Sequence, residues 1–129
     1  DDSRHAGFTE GTPWLCVNDD FRKYNVRTEN ADPESVLNWY RKLAELRRKH
    51  IELTDGDYTE VLHEHSQIFA YRRKNDRAEA VILINMSCDP AYYDAGLCSA
   101  GVQIAGTHGK SRKGFLRPLE AVIYEEVKL

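Results

Sequence analysis

Between residues 36 and 46 the apolar side chains Val36, Leu37, Trp39, Tyr40, Leu43, Ala44 and Leu46 recur at the spacing of one helix face. At about 100° per residue they fill roughly half of a helical wheel. Glu34, Asn38, Arg41, Lys42, Glu45, Arg48 and Lys49 fill the other half. Asp32 suits an N-cap, and Pro33 suits the first helical position, where its missing N–H costs nothing. The pattern predicts a helix over 32–50. Arg47 breaks the segregation, near the centre of the apolar arc. Two readings fit it: a solvated head with its stem along the apolar surface, or a buried guanidinium held by a partner.

The period changes from Thr54. Asp55-Gly56 is a turn signal, and 58–63, 68–73 and 79–85 read as strands joined by the short polar segments 63–67 and 74–77. Connections this short imply antiparallel neighbours. Ala80 to Ile84 is apolar at every position, which predicts a central strand covered on both faces. A weaker strand over 102–105, a polar and basic loop over 106–114 and a closing strand over 121–124 follow. One long helix followed by about six strands predicts a mainly β fold, an antiparallel sandwich. Residues 1–31 hold no sustained period and read as a long irregular segment whose aromatic residues Phe8, Trp14, Phe21 and Tyr24 need a surface to bury against.

Composition narrows the function classes. With 129 residues, 41% hydrophobic and 30% charged, the chain has the make-up of a folded domain. A net charge of −3, without a long basic block, argues against nucleic acid as a partner. No apolar run approaches the ~20 residues that span a bilayer, so no membrane partner is expected. The opening Asp1-Asp2-Ser3-Arg4-His5 lacks the cationic start and apolar centre of a signal peptide and reads as a position inside a longer chain. Cys16, Cys88 and Cys98 are an odd set without CxxC spacing, which favours free thiols and a cytoplasmic location, with a Cys88–Cys98 bridge as the alternative.

An ordered series of residues then carries a resemblance. Asp1-Asp2-Ser3, Ala6-Gly7-Phe8-Thr9, Gly11, Pro13-Trp14-Leu15 and Val17-Asn18 are followed by Asn25-Val26, Asp32-Pro33 with Ser35, Tyr40-Arg41-Lys42-Leu43 and Leu46-Arg47. This series resembles the end of the catalytic barrel in the oligo-1,6-glucosidase and α-glucosidase branch of glycoside hydrolase family 13, the α-amylase family. Gly56-Asp57-Tyr58 resembles the opening of that family's C-terminal β-domain, and 116–124 its closing strand. Asp19-Asp20-Phe21 departs from the family's Pro-Asn-Tyr, and Cys16 sits at a variable position.

The resemblance implies that 1–53 is the end of a (β/α)8 barrel, with an irregular loop over 1–31 and the final helix over 32–50, and that 54–129 is an antiparallel β-sandwich. It implies a parent that cleaves α-glucosidic bonds of small oligosaccharides with retention, its nucleophile and acid/base lying upstream of Asp1. No catalytic residue is expected in this chain, because a retaining pair needs two carboxylates about 5–5.5 Å apart and a whole barrel takes about 250 residues. The loop after strand eight emerges on the active-site face, so Asp1, Asp2 and Phe8 are candidates for the substrate rim. No cofactor is implied. The helix over 33–49 would pack on the missing barrel, or self-associate in the isolated chain. Metal ligation by the five histidines is not expected, since His63 and His65 alternate at a strand end and the others are scattered. Two rival readings are a stand-alone carbohydrate-binding or structural β-module, and the ectodomain end of an amino-acid-transporter heavy chain.

Overall fold

A computed structural model describes residues 1–128. The chain forms two compact units, Asp1–Leu46 and Arg47–Leu129. The division falls inside the long helix, whereas the resemblance led to a boundary at 53/54.

The first unit holds a 3-10 turn at Arg4–Gly7, helix α1 at Val26–Ala31 and most of helix α2 at Val36–Lys49. Helix α1 corrects the expectation of an irregular segment up to residue 31. It depends on local hydrogen bonds, not on an apolar period: Asn25 Oδ1 accepts from Thr28 N–H at 3.0 Å, and Thr28 Oγ1 accepts from Asn25 N–H at 3.3 Å. Six residues are too few to display a stripe.

Helix α2 begins at Val36, later than the predicted start at 32. Asp32 ends α1, its N–H donating to Glu29 O at 3.2 Å, and its Oδ1 turns the chain by accepting from Glu34 N–H at 2.9 Å. Ser35 takes over as the cap. Its Oγ accepts from Asn38 N–H at 3.2 Å, and its carbonyl accepts from Trp39 N–H at 2.9 Å. Glu29 Oε2 also accepts from Leu37 N–H at 3.0 Å, placing a carboxylate at the positive end of α2. Two capping residues in succession misled the sequence reading. No residue of α2 is buried, and Val36 and Tyr40 are 79% and 73% exposed. Arg47 is exposed, which fits the solvated reading.

The second unit is built on a sheet of five antiparallel strands: β1 at Asp57–Val61, β2 at Ile68–Lys74, β3 at Ala78–Asn85, β5 at Val102–Gly106 and β7 at Ala121–Val127. Their order is β1-β2-β3-β7-β5. β3 lies at the centre, as its uninterrupted apolar run requires. In register, Ala70, Leu83 and Val122 lie side by side, as do Val81 and Tyr124, and together they form one buried face.

That face is covered by the excursion between β3 and β7. A two-stranded ribbon, β4 at Ala91–Tyr92 and β6 at Phe115–Leu116, and a 3-10 turn at Ala95–Cys98 bring Ala91, Tyr93, Cys98 and Leu116 into the same core. The second layer is therefore a short ribbon and not a full sheet. Strands of two residues carry no alternation, so the sequence reading missed them.

A short helix, α3 at Glu52–Asp55, packs on β2 and β3 and buries Glu52 and Leu53. Gly56 makes this approach possible. A Cβ there would lie 2.4 Å from Glu52 O and 2.9 Å from Lys74 N, distances that backbone atoms cannot tolerate.

Candidate functional site

In the first unit the loop residues surround a hollow of about 820 Å3, whose lining includes Asp1, His5, Phe8, Trp14, Phe21 and Tyr24. The turn at Arg4–Gly7, which contributes His5 and Ala6 to the lining, is strained. His5, Ala6 and Gly7 follow one another with φ of 56°, 57° and 76°. The left-handed region costs a residue with a Cβ about 1–2 kcal/mol. Ala6 is nevertheless buried, and its N–H donates to Ser3 O at 3.0 Å. Asp1 closes the turn: its Oδ1 accepts from Ser3 N–H at 2.9 Å and from Ser3 Oγ at 2.5 Å. A side chain at Gly7 would come within 2.8 Å of that same oxygen.

Asp1 and Phe8 line the hollow, and Asp2 is absent from its lining. Asp2 instead meets Arg27 Nη1 at 2.7 Å, with both side chains at least half exposed. Exposed ion pairs of this kind contribute about 0.2–1 kcal/mol. The two carboxylates thus serve different partners. Phe8 is 89% exposed and Trp14 92%, so within this chain neither ring has the burying surface expected for the aromatic residues of 1–31. Trp39, on the apolar arc of α2, is half-buried with the Lys42 ammonium 5.0 Å from its ring centre. Exposed ring faces beside a carboxylate are surfaces on which a sugar can stack and hydrogen-bond.

The second unit contains a polar cluster that the sequence reading missed. Where α2 runs into α3, His50 and Glu52 meet Glu125 of β7. His50 Nδ1 lies 2.5 Å from Glu125 Oε1 and 3.7 Å from Glu52 Oε1, and three ligand-type atoms lie within 4.8 Å of one another. Glu52 is only 3% exposed, and its Oε1 is buried without a hydrogen-bond partner. Burial pushes the Glu52 carboxyl above its ordinary value, its own backbone N–H opposes the shift, and neighbouring Glu125 adds to it. Elsewhere in the unit, burial raises the Tyr93 hydroxyl, the Cys98 thiol and the Tyr124 hydroxyl, which lie together in the core.

The remaining histidines have structural roles or lie at the surface. His65 Nδ1 accepts from Gln67 N–H at 3.1 Å and Ile68 N–H at 3.0 Å, which leaves Nε2–H to donate to Tyr92 O at 3.0 Å. His63 is exposed. All three cysteines are free thiols, so the Cys88–Cys98 bridge is not formed. Among the described residues no helix is long and apolar enough to cross a membrane.

Comparison with known proteins places this geometry. Residues 1–56 match the model of the alpha-amylase catalytic domain. A probable oligo-1,6-glucosidase of Bacillus subtilis is 40% identical over 90 residues, covering 70% of this chain and 16% of that relative. The oligo-1,6-glucosidase of Heyndrickxia coagulans is 31% identical over 124 residues, covering 96% of this chain and 22% of its own length. A mutant isomaltulose synthase from Erwinia rhapontici superimposes with a TM-score of 0.86 at 30% identity, over 97% of this chain and 24% of that one. Trehalose-6-phosphate hydrolase of Bacillus licheniformis shares the fold, with a TM-score of 0.86 at 24% identity over 98% of this chain and 24% of its own. The chain thus spans under a quarter of the length of these relatives.

Proposed function

Because the chain belongs to the alpha-amylase family, glycoside hydrolase family 13, we propose that it is the C-terminal part of a retaining α-glucosidase acting on small oligosaccharides. The observation that carries this reading is the joint match: residues 1–56 align with the catalytic domain, and the fold of nearly the whole chain follows full-length members of the family. In this reading the nucleophile and acid/base belong to the remainder of the parent, and 129 residues alone cleave no glycoside. The β-unit is structural. The uncovered side chains of Val36 and Tyr40 on α2 are where the rest of the barrel packs, or where isolated chains associate.

Asp1 and Phe8, which line the hollow, belong to the substrate rim of the parent, whereas Asp2 is held outside that hollow by Arg27. Three free thiols without a disulfide framework suit a cytoplasmic enzyme. An oligo-1,6-linkage preference is the first choice of substrate, because relatives named for that activity match 70% and 96% of the chain. The test follows by proton NMR the anomer of the one glucose that the parent protein releases from an aryl α-glucoside. α-Glucose appearing first supports a double displacement, and β-glucose appearing first contradicts retention. In the same protein, Phe8→Ala raises KM for trisaccharides about tenfold while leaving a chromogenic monoglucoside unaffected, if the rim assignment holds.

A further inference from the structure

We propose that His50, Glu52 and Glu125 form a binding site for one zinc-class divalent cation at the junction of α2, α3 and β7. The donors are an imidazole nitrogen and two carboxylate oxygens within 4.8 Å of one another. Such a mixture is a common zinc set, with a water completing four-coordination. Zn–N bonds of about 2.0–2.1 Å and Zn–O bonds of about 2.0–2.2 Å place ligand atoms about 3.3 Å apart in a tetrahedron. The observed separations of 2.5 Å and 3.7 Å from His50 Nδ1 bracket that value. The Glu125 carboxylate must swing out of its direct contact with His50 to open the centre.

The independent observation is Glu52. Its side chain is almost fully buried, and Oε1 points into the cluster with no hydrogen-bond partner. An unpaired buried polar atom costs about 1–3 kcal/mol, more when charged. A cation between Glu52 and Glu125 removes that penalty and the repulsion between the two carboxylates together. Three protein donors are too few for calcium, which takes six to eight oxygens. His50 and Glu125 keep side-chain exposures of 25% and 13%, so an ion can enter from solvent. Zinc and the proton compete for the same oxygens. The site is in the β-unit, separate from the rim residues, and its occupancy is independent of the glycosidase reading.

The test is equilibrium dialysis of the chelator-treated chain against zinc chloride at pH 7, followed by substitution with cobalt(II). One equivalent is expected, and Glu52→Gln and His50→Gln are each expected to weaken its binding by more than about tenfold. Glu126→Gln, next to the site on the same strand, is expected to leave it unchanged. The cobalt form is expected to show tetrahedral visible bands without a thiolate charge-transfer band. Because that spectrum needs no variant, it decides the matter even where a substitution unfolds the chain. Equal zinc uptake by wild type and folded Glu52→Gln, a thiolate band from one of the three cysteines, or no bound equivalent would overturn the site.

Discussion

The β-unit buries two carboxylates almost completely, Glu120 at 1% exposure and Glu52 at 3%, and treats them in opposite ways. Glu120 Oε1 accepts from Ser111 Oγ at 2.5 Å, and Oε2 accepts from Arg117 N–H at 2.7 Å. Its backbone carbonyl accepts from Asn85 N–H at 2.8 Å, and Asn85 is itself satisfied: Nδ2 donates to Asp89 O and Arg117 O, while Oδ1 accepts from Ser87. This knot ties the end of β3 to the excursion that covers the core. Glu52 has one oxygen without a hydrogen-bond partner, 3.7 Å from His50 Nδ1, and a second carboxylate nearby. Equal burial therefore says little about a charged residue; the partners decide whether it holds the fold together or waits for a ligand.

The largest contrast is expected from removing the carboxylates. Glu120→Ala takes the acceptor away from the half-buried Ser111 Oγ and from Arg117 N–H and is expected to cost about 2 kcal/mol, read as a lower urea midpoint. Glu52→Gln should do the opposite in the metal-free chain at neutral pH, adding about 1 kcal/mol, because an amide avoids the buried charge and can donate to Glu125. A loss of stability instead would mean that the Glu52 charge is already compensated.

The sign of the pH dependence sharpens the same comparison. The Glu52 carboxyl is raised in the folded state, so between its unfolded value near 4.5 and its folded value the native chain binds the extra proton. The stability that proton brings is complete below about pH 4.5 and is lost as pH rises through the folded value. The gain from Glu52→Gln is therefore expected to shrink as pH falls toward 4.5, measured by urea unfolding at each pH. A gain that is constant with pH contradicts the assignment. Ser111→Ala is the smallest change: one hydrogen bond to Glu120 is lost, about 1 kcal/mol, while Arg117 N–H remains bonded.

How much of this was legible depended on the range of the interactions. β3 could be read because a strand buried on both faces is apolar at consecutive positions, and the structure puts it at the centre of the sheet. The body of α2 showed in its stripe, but its start did not, because Asp32 and Ser35 are both good caps and only the turn between them assigns α2 to Ser35. β4 and β6 are set by tertiary packing of Ala91 and Leu116 and have no local signature. The sequence reading singled out Asp1 and Phe8, which line the hollow, together with Asp2, which does not. It passed over His50 and Glu52 because their third partner, Glu125, lies 75 positions beyond His50 and is brought in by the sheet alone. The one available signal was a pair of alternating ligand-type residues at the end of an apolar helix stripe.

The most direct measurement for the central claim follows this chain in its source cells with an antibody, while α-glucosidase activity is assayed across the same size fractions. The account predicts a protein several times longer than 129 residues that elutes together with cleavage of a chromogenic α-glucoside. A species near 14.8 kDa that elutes apart from all such activity would contradict it.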